Sequence, residues 1–572
     1  MAQETLPDRS PVGGPADAGG GPGAAARPGH LARRGRALRR FLRTGGRAGW
    51  PRTLVVLIAG GALCLAFPPF DLTPLGPVAV AALTLAIRGQ AARTGAWLGF
   101  LGGAAFFLPA LDGLIPVGPD AWAVLSLVQA LYFIPMGAAI ALVTRLPGWP
   151  VWTAALWVAQ EALRGREPFG GFPWARLAFS QTATPLTPYA SVGGAPLVTF
   201  LTALVGALLA FAAVAAWRLR PSRTAPEAET GDDAADGAAG GPGGPGRRRA
   251  AVSAVLALVV AGAVTGAGAL IPTPADGPHV TVAVIQGNVP RLGLDFLGQR
   301  KAVLNNHVKA THDLAAEIRA GRVAKPQLVV WPENSSDLDP YTEPDAYRAI
   351  DGAVRDVGVP VLVGALTDTP DRKKVENRGI VWDPVTGPGD YYVKRHPVPF
   401  GEYLPYRDVL TKIIKRFELI PRDFAKGTRS GVMRLGPVDI GDVICFEVAY
   451  DREVRDVSRG RILVVQTNNA TYGRTSLPPQ QIAMSRLRAV EHGRTILVAA
   501  TSGISAIVAP DGRMIDRSRE FVPDIQVASV PERTERTLAD RVGEWPEWVL
   551  VAVGIGALCA AAWTTARKNE EN

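Results

Sequence analysis

Long apolar runs separated by short polar segments fill most of the first half of the chain, and one more run lies near its end. The runs begin at Thr53, Pro74, Gly95, Ala121, Val151, Pro196, Ala250 and Trp548. A helix needs about 20 apolar residues to cross the roughly 30 Å hydrocarbon core of a bilayer. Most runs are that long, and the second and fifth are shorter. The pattern predicts a polytopic α-helical membrane domain with about eight transmembrane helices.

A different pattern fills the stretch between the last two runs. Short β-branched segments such as VTVAVIQ, VPVLVGAL, VDIGDVI and RILVVQT alternate there with helix-like segments such as QQIAMSRLRAVEHG. Strands that alternate with helices are typical of α/β domains. The stretch has about 250 residues, enough for one sizeable core, and is therefore predicted to be a separate α/β domain.

These patterns divide the 572 residues into two folded domains with polar segments around them. Low-complexity sequence such as GDDAADGAAGGPGGPG is typical of flexible segments. The predicted boundaries are a disordered basic cytoplasmic tail over 1–52, a membrane domain with seven transmembrane helices over 53–271, a flexible cytoplasmic linker within it over 218–249, an extracytoplasmic α/β domain over 279–534, a C-terminal transmembrane helix over 546–566 and a cytoplasmic tail over 567–572.

The chain carries 61 Lys and Arg against 51 Asp and Glu, a net charge of +10. Basic loop residues concentrate on alternate loops, and basic loops favour the cytoplasm. The loop after the fifth run, with Arg164, Arg166 and Arg176, is an exception. On balance we expect a multi-pass protein of the cytoplasmic membrane, with both termini cytoplasmic and the α/β domain extracytoplasmic. No basic-aromatic module accompanies the charge, so no nucleic-acid partner is expected.

Cys445 is the only cysteine of the predicted α/β domain, because Cys64 and Cys559 fall in predicted membrane helices. It follows directly after the apolar segment VDIGDVI. A lone thiol there is either a buried packing residue or a nucleophile. Catalytic groups of α/β domains gather at strand ends, and this favours the second interpretation.

Two charged residues also follow apolar, strand-like segments: Glu333 comes after QLVVWP, and Lys394 comes after DYYV. A carboxylate can take the proton of a thiol as a general base. An ammonium group can stabilise a thiolate or an oxyanion. Taken alone, the same two residues would be interpreted as an ordinary surface ion pair.

Three segments that carry these residues, WPEN, YVKRHPVPFGEYLP and DVICFE, resemble the nitrilase superfamily. With its membrane domain and the segments GGFPWARLAFSQ and SRLRAVEHGRTILVAATSGISAIVAPDGR, the chain is more specifically similar to the apolipoprotein N-acyltransferases. The resemblance implies a four-layer αββα sandwich. It also implies Glu333 as general base, Lys394 as oxyanion-stabilising residue, Cys445 as nucleophile, and Glu402 and Glu447 as supporting residues.

Some positions depart from the family pattern. Phe446 replaces the Tyr that commonly follows the cysteine, and Asn469 and Thr471 replace the usual acidic and aromatic residues. No Trp occurs near residues 291–297, where family members can have a lid tryptophan. These departures concern substrate gating and acyl preference rather than the Glu, Lys and Cys set.

Other notable residues are interpreted as structural. His396 is expected to be a loop histidine, because a carboxylate already supplies a base. Trp174 is expected to be an interfacial aromatic anchor, with a substrate-docking role as the alternative. Arg488, Glu491 and Arg494 are expected to form a charge network on a helix, which would contribute little if exposed. No cluster of Cys and His residues suggests a metal site.

The resemblance implies transfer of a fatty acyl chain from a membrane phospholipid to the N-terminal amine of a diacylglyceryl-cysteine on an apolipoprotein, the last step of bacterial lipoprotein maturation. The chain would pass through a thioester on Cys445, without a metal or cofactor. The alternative is a membrane-tethered amidase of the nitrilase type, against which eight helices argue because one anchor would suffice. A third possibility is a non-catalytic scaffold, against which the complete Glu, Lys and Cys set argues.

Overall fold

The computed structural model describes residues 49–220, 245–289, 300–413 and 422–570. The predicted basic tail lies almost entirely outside these ranges, as do most of the predicted linker and the segment at 291–297. Within the described ranges, a set of helices comes first, two β-sheets follow, and a long helix comes last.

Every predicted apolar run lies on helix, and the run from Ala121 is divided into two helices at Tyr132. Proline stands in the first turn of several of these helices, where its missing N–H removes no helical hydrogen bond. The helices before the first strand are α1 Trp50–Leu65, α2 Leu75–Ile87, α3 Ala92–Ala110, α4 Pro119–Leu131, α5 Phe133–Val143, α6 Trp149–Arg164, α7 Ala190–Trp217 and α8 Pro245–Ala267.

Four helical segments of the described residues are long and apolar enough to cross a membrane: Pro119–Val143, Thr187–Trp217, Gly246–Leu270 and Trp545–Arg567. Helices α1 and α2 are apolar but shorter. The chain therefore has several candidate membrane spans, and the count of eight stays a prediction. The run from Thr53 is longer than its helix, because α1 ends at Leu65 and a turn follows.

Glycines allow helices α3 and α5 to approach each other closely. A Cβ at Gly99 would lie 2.2 Å from the carbonyl oxygen of Phe133, and a Cβ at Gly137 would lie 2.3 Å from that of Gly95. Small residues at such crossings are a common way for membrane helices to pack backbone against backbone. Larger side chains at these positions would force the two helices apart.

Two six-stranded sheets follow the helices. The strands are β1 His279–Gln286, β2 Leu328–Val330, β3 Val361–Asp368, β4 Val375–Asp383, β5 Gly387–Val393, β6 Val432–Leu435, β7 Val438–Ile444, β8 Ile462–Thr467, β9 Thr495–Ala500, β10 Ala506–Val508, β11 Met514–Arg517 and β12 Asp524–Pro531. The strand orders are β12-β1-β2-β3-β4-β5 and β11-β10-β9-β8-β7-β6. Strands β1, β2 and β3 are parallel, as are β7, β8 and β9.

The remaining helices are α9 Arg300–Arg319, α10 Pro344–Val357, α11 Arg407–Ile413, α12 Asp451–Val457, α13 Leu477–His492, α14 Leu538–Val542 and α15 Trp545–Glu570. The two sheets face each other across an apolar layer. Helices α9 and α10 cover the outer face of the first sheet. Helices α12 and α13 cover the second sheet, and their apolar core continues into the membrane domain. This is the four-layer αββα sandwich that the resemblance implied.

Buried charges join the membrane domain to the α/β domain. Arg176, on the loop after α6, donates two hydrogen bonds of 2.7 Å to Asp451 at the start of α12. The Nε atom of Arg176 lies 3.4 Å from Glu161 of α6. Arg488 of α13 pairs with the same Asp451 at 2.6 Å and with Glu491 at 2.5 Å. The Asp451 carboxylate thus compensates the charge of Arg176 from the membrane domain and that of Arg488 from the α/β domain.

The predicted charge network is confirmed for Arg488 and Glu491, which pair at 2.5 Å, and the pair is buried rather than exposed. Their exposures are 0% and 5%, so they lie between domains rather than on a surface. Arg494 is buried too, but it donates to backbone carbonyls such as that of Gly460. Arg494 lies beyond the end of α13 at His492, so the helical spacing holds for Arg488 and Glu491 but not for Arg494.

Replacement of Asp451 by Asn is expected to destabilise the protein, because two buried guanidinium groups lose their shared counter-ion. Removing one partner of a buried ion pair costs about 3–5 kcal/mol. Thermal unfolding of the full chain in detergent measures the effect. Asp345→Asn is the matched control, since that side chain is 69% exposed and surface pairs contribute under about 1 kcal/mol. Equal melting temperatures for wild type and Asp451→Asn would contradict the expectation.

Candidate active site

Glu333 lies just beyond strand β2, with Pro332 before it, and is 3% exposed. Its Oε1 atom accepts hydrogen bonds from Asn377 Nδ2 at 2.7 Å and from Lys394 Nζ at 3.0 Å. Its Oε2 atom accepts one from the backbone N–H of Asn468 at 2.8 Å. These donors compensate the burial of the carboxylate and fix its orientation.

Lys394 follows strand β5 and faces two carboxylates. Its ammonium group is 1% exposed and donates to Glu333 at 3.0 Å and to Glu402 Oε1 at 2.6 Å. The other oxygen of Glu402 accepts from the backbone N–H of Val398 at 2.8 Å, which anchors the turn that carries Glu402. Burial alone would lower the pKa of Lys394, but the two carboxylates raise it well above its usual value. Lys394 is therefore a fixed positive charge.

Cys445 occupies the turn directly after β7, where it begins a short 3-10 helix, Cys445–Ala449. Its φ of 56° lies in the left-handed region, which costs a non-glycine residue about 1–3 kcal/mol. Strained strand-to-helix turns of this kind present a nucleophile at the end of a sheet. Gln481 of α13 donates to the Cys445 carbonyl at 3.1 Å, and the Thr467 hydroxyl donates to the side-chain oxygen of Gln481 at 3.0 Å.

The structure brings the three predicted residues together, since the charges of Glu333 and Lys394 both act on the Cys445 thiol. Burial raises the pKa of this thiol, the Glu333 carboxylate raises it further and Lys394 lowers it, with the result that the pKa is about 12. The neutral thiol therefore dominates near pH 7. A nucleophilic role for Cys445 requires a base, and Glu333 is the charged group that acts on the thiol most strongly.

Glu447 connects the turn that begins at Cys445 to the segment after Lys394 through hydrogen bonds. Its carboxylate is fully buried and accepts hydrogen bonds from the backbone N–H groups of Ile444 at 2.7 Å, Arg395 at 2.6 Å and His396 at 2.9 Å. The Tyr392 hydroxyl donates to both of its oxygens, at 3.0 and 2.9 Å. Glu447 thereby sets the separation between the ends of β5 and β7.

Trp174 packs beside the nucleophile turn and is 7% exposed, so its interpretation as an interfacial anchor is wrong. Its ring stacks on Phe446 at 5.7 Å with 9° between the planes, and Phe172 stacks on the same ring at 5.4 Å. Trp174 Nε1 donates to Gln480 of α13 at 2.6 Å. Phe172 and Trp174 of the loop after α6 thus form an aromatic wall with Phe446, the residue next to Cys445.

Four residues that hydrogen-bond the side chains or backbone of the site were not predicted from the sequence: Asn377, Thr467, Asn468 and Gln481. Each is polar and contacts a residue distant in the chain or a neighbouring loop, so no local pattern distinguishes it. A polar residue on an otherwise apolar strand face, as at Asn377 of β4, was the one available signal. Asn469, which departs from the family pattern, donates to Gln481 at 3.0 Å and so helps to orient it.

His396 lies two residues beyond Lys394 and contacts Glu453, with Nδ1 3.2 Å from Oε1. The side chains of His396, Glu447 and Glu453 each offer a ligand atom within 4.8 Å of the others. Both oxygens of Glu447 already accept hydrogen bonds, however, so this group gives no support for a metal ion.

Comparison with known proteins identifies the family. The model for the apolipoprotein N-acyltransferase N-terminal domain matches residues 59–208, and the carbon–nitrogen hydrolase model matches residues 281–539. The apolipoprotein N-acyltransferase of Mycolicibacterium smegmatis is 39% identical over 528 residues, which are 89% of this chain and 85% of the relative. The chain belongs to the apolipoprotein N-acyltransferase family.

A second family member, the apolipoprotein N-acyltransferase of Pseudomonas putida, is 30% identical over 535 residues, 89% of this chain and 97% of the relative. Among solved structures, an amidase from Nesterenkonia sp. aligns with a TM-score of 0.34 at 20% identity, covering 47% of this chain and 95% of the amidase. The two family models and the two relatives confirm the family resemblance predicted from WPEN, YVKRHPVPFGEYLP and DVICFE. The carbon–nitrogen hydrolase match spans both sheets of this N-acyltransferase family member.

The raised pKa of Cys445 predicts how its alkylation depends on pH. Since only the thiolate reacts, the alkylation rate should rise about tenfold for each pH unit from 7 to 10, without levelling off. The measurement uses iodoacetamide and the mass of the peptide that contains Cys445, in protein whose Cys64 and Cys559 are replaced by Ala.

A surface cysteine provides the control for this experiment. Asp345→Cys, in a protein that also carries Cys445→Ala, should level off above a pH of about 8.5, near the usual thiol pKa. A plateau for Cys445 near that pH would show that its pKa is not raised.

Proposed function

We propose that this protein transfers a fatty acyl chain from a membrane phospholipid to the N-terminal amine of a diacylglyceryl-cysteine on an apolipoprotein. The observation that carries the proposal is the position of Cys445. This cysteine lies at a strained turn with Glu333 and Lys394 acting on its thiol, and an aromatic wall from the membrane domain packs beside it. A nucleophile against membrane helices is placed to meet the ester groups of lipids.

In the first half-reaction, Sγ of Cys445 attacks the ester carbonyl carbon of the phospholipid while Glu333 accepts the thiol proton. The Lys394 ammonium group stabilises the negative charge that develops on the carbonyl oxygen. The ester C–O bond then breaks, the leaving oxygen takes the proton from Glu333, and a lysophospholipid departs. The acyl chain remains on Cys445 as a thioester.

In the second half-reaction, the free amine of the diacylglyceryl-cysteine attacks the thioester carbonyl and gives a proton to Glu333. The C–S bond breaks, the Cys445 sulfur recovers the proton, and the new amide leaves as the triacylated lipoprotein. Because donor and acceptor use the same site in turn, the kinetics should be ping-pong. Both steps use only side chains of the chain itself, so the proposal includes no metal and no cofactor.

Two further carboxylates support this chemistry without touching the reacting atoms. Glu402 holds the Lys394 ammonium group through a 2.6 Å hydrogen bond. Glu447 holds the backbone on both sides of the site. The aromatic wall keeps water from the thioester, which would otherwise be hydrolysed.

We also propose a multi-pass position in the cytoplasmic membrane, with the α/β domain extracytoplasmic, both termini cytoplasmic and the domain boundaries given above. The alternate basic loops support this orientation, and the candidate membrane spans support the multi-pass position. In this arrangement the bilayer supplies the acyl donor, and the acceptor is a lipoprotein that is itself anchored in the membrane.

The carbon–nitrogen hydrolase match favours a second candidate, a membrane-tethered amidase that uses the same three residues and passes the acyl group to water. The aromatic wall disfavours it, because a hydrolase has no need to keep water from the thioester. A scaffold without catalysis would leave the strained Cys445 turn without a purpose.

The test of the proposal incubates purified protein with phospholipid vesicles and a synthetic diacylglyceryl-cysteine peptide, followed by mass spectrometry of the peptide. We expect the peptide to gain one acyl chain, and Cys445→Ala to abolish the gain because the thioester cannot form. Release of free fatty acid or ammonia with unchanged peptide would identify a hydrolase instead. If Cys445→Ala still supported lipoprotein maturation in cells, a scaffold would be the better interpretation.

A further inference from the structure

Two polar side chains interrupt the apolar layer between the two sheets. Asp442 of β7 and Gln466 of β8 are both 0% exposed, and their strand neighbours Ile440, Ile444 and Val464 belong to that layer. A polar side chain buried in an apolar layer destabilises the fold unless it is hydrogen-bonded. We therefore expect Asp442 and Gln466 to have hydrogen-bond partners within the layer.

The orientation of Gln466 follows from its contact with the opposite sheet. Its Nε2 atom donates to the carbonyl oxygen of Trp331 at 2.6 Å. That carbonyl can only accept, so the amide oxygen of Gln466 must point the other way. This oxygen has no hydrogen-bond donor among the described residues.

The Asp442 carboxyl group lies on the side to which that amide oxygen points. A Cβ at Gly379 of β4 would lie 2.3 Å from Oδ2 of Asp442 and 2.5 Å from Oε1 of Gln466. The two oxygens thus converge on a place where the opposite strand has no side chain. Neither oxygen of Asp442 has a hydrogen-bond partner among the described residues.

Two facing acceptors in an apolar layer are compatible only if one of them carries a proton. An amide oxygen does not, whereas a carboxyl group can. Burial raises the pKa of Asp442 well above its usual value, and the nearby Glu447 and Glu333 charges raise it further. The surroundings therefore favour the neutral acid, which is a hydrogen-bond donor.

We infer that Asp442 is a positioning residue that, as a neutral acid, donates a hydrogen bond to Gln466 and completes a bridge from β7 through β8 to the Trp331 carbonyl. The bridge begins three residues before Cys445 and ends two residues before Glu333. It therefore sets the distance between the nucleophile and the base, which lie on different sheets. The inference rests on the proposed roles of these two residues.

The test measures acylation of Cys445 by a p-nitrophenyl ester of a short fatty acid, as the first-turnover burst of p-nitrophenol from the full chain in detergent. Asp442→Asn keeps a donor and should acylate within about threefold of wild type. Asp442→Val removes the donor and should slow the burst about tenfold or more, because small misplacements of catalytic groups cost large factors in rate. Asp439→Asn, at an exposed position of the same strand, is the matched control.

A double-mutant cycle separates positioning from general destabilisation. Gln466→Met breaks the same bridge from its middle, so it should slow the burst as Asp442→Val does, and the two changes together should be no slower than either alone. Gln466→Met also carries the test if Asp442→Val does not fold. Thermal unfolding of each variant confirms that folded protein is compared.

Three results would overturn the bridge: an Asp442→Asn burst as slow as that of Asp442→Val, a wild-type burst in both bridge-breaking variants, or additive effects in the double variant. Glu333→Gln in the same assay distinguishes a failure of the bridge from a failure of the proposed general base. An unchanged burst for Glu333→Gln would contradict the base proposed for the site. A normal burst in wild type without acyl transfer to the lipopeptide would contradict the proposed function but not the bridge.

Discussion

The buried ammonium group of Lys394 is the constraint on which the rest of the site depends. An isolated ammonium ion in a dry interior costs several kcal/mol, so it must be paired. Glu333 and Glu402 pair with it, and each is held in turn by further donors, such as the Asn377 amide and the Val398 N–H group. The arrangement that compensates one charge therefore also fixes the carboxylate that faces the Cys445 thiol.

The position of Cys445 relative to the membrane helices is set by a second group of buried charges. Arg488 donates to the carbonyl oxygens of Val448 and Ala449, at 3.0 and 2.9 Å. Both residues belong to the turn that begins at Cys445. It shares the Asp451 carboxylate with Arg176 of the membrane domain. An acyl-transfer site that draws its donor from a bilayer needs such a connection, because the thiol must keep a constant place beside the lipid.

The sequence was sufficient for features that depend on local order and insufficient for those that depend on distant contacts. Glu333, Lys394 and Cys445 each follow an apolar strand, so their placement at strand ends could be predicted from neighbouring residues. Trp174 could not be placed, because its partner Phe446 is brought to it only by the docking of two domains. Arg488 has the spacing of an exposed helical charge, but it is buried against Asp451, Val448 and Ala449, which come from other elements of the fold.

Trapping the acyl-enzyme tests the central claim most directly. The full chain is incubated with phospholipid alone, digested, and the peptide that contains Cys445 is weighed before and after the diacylglyceryl-cysteine peptide is added. The account predicts the mass of one acyl chain on Cys445, lost when the acceptor peptide gains it, and no such mass in Glu333→Gln. Acylated acceptor formed without any acyl chain on Cys445, or a chain found on another residue, would contradict it.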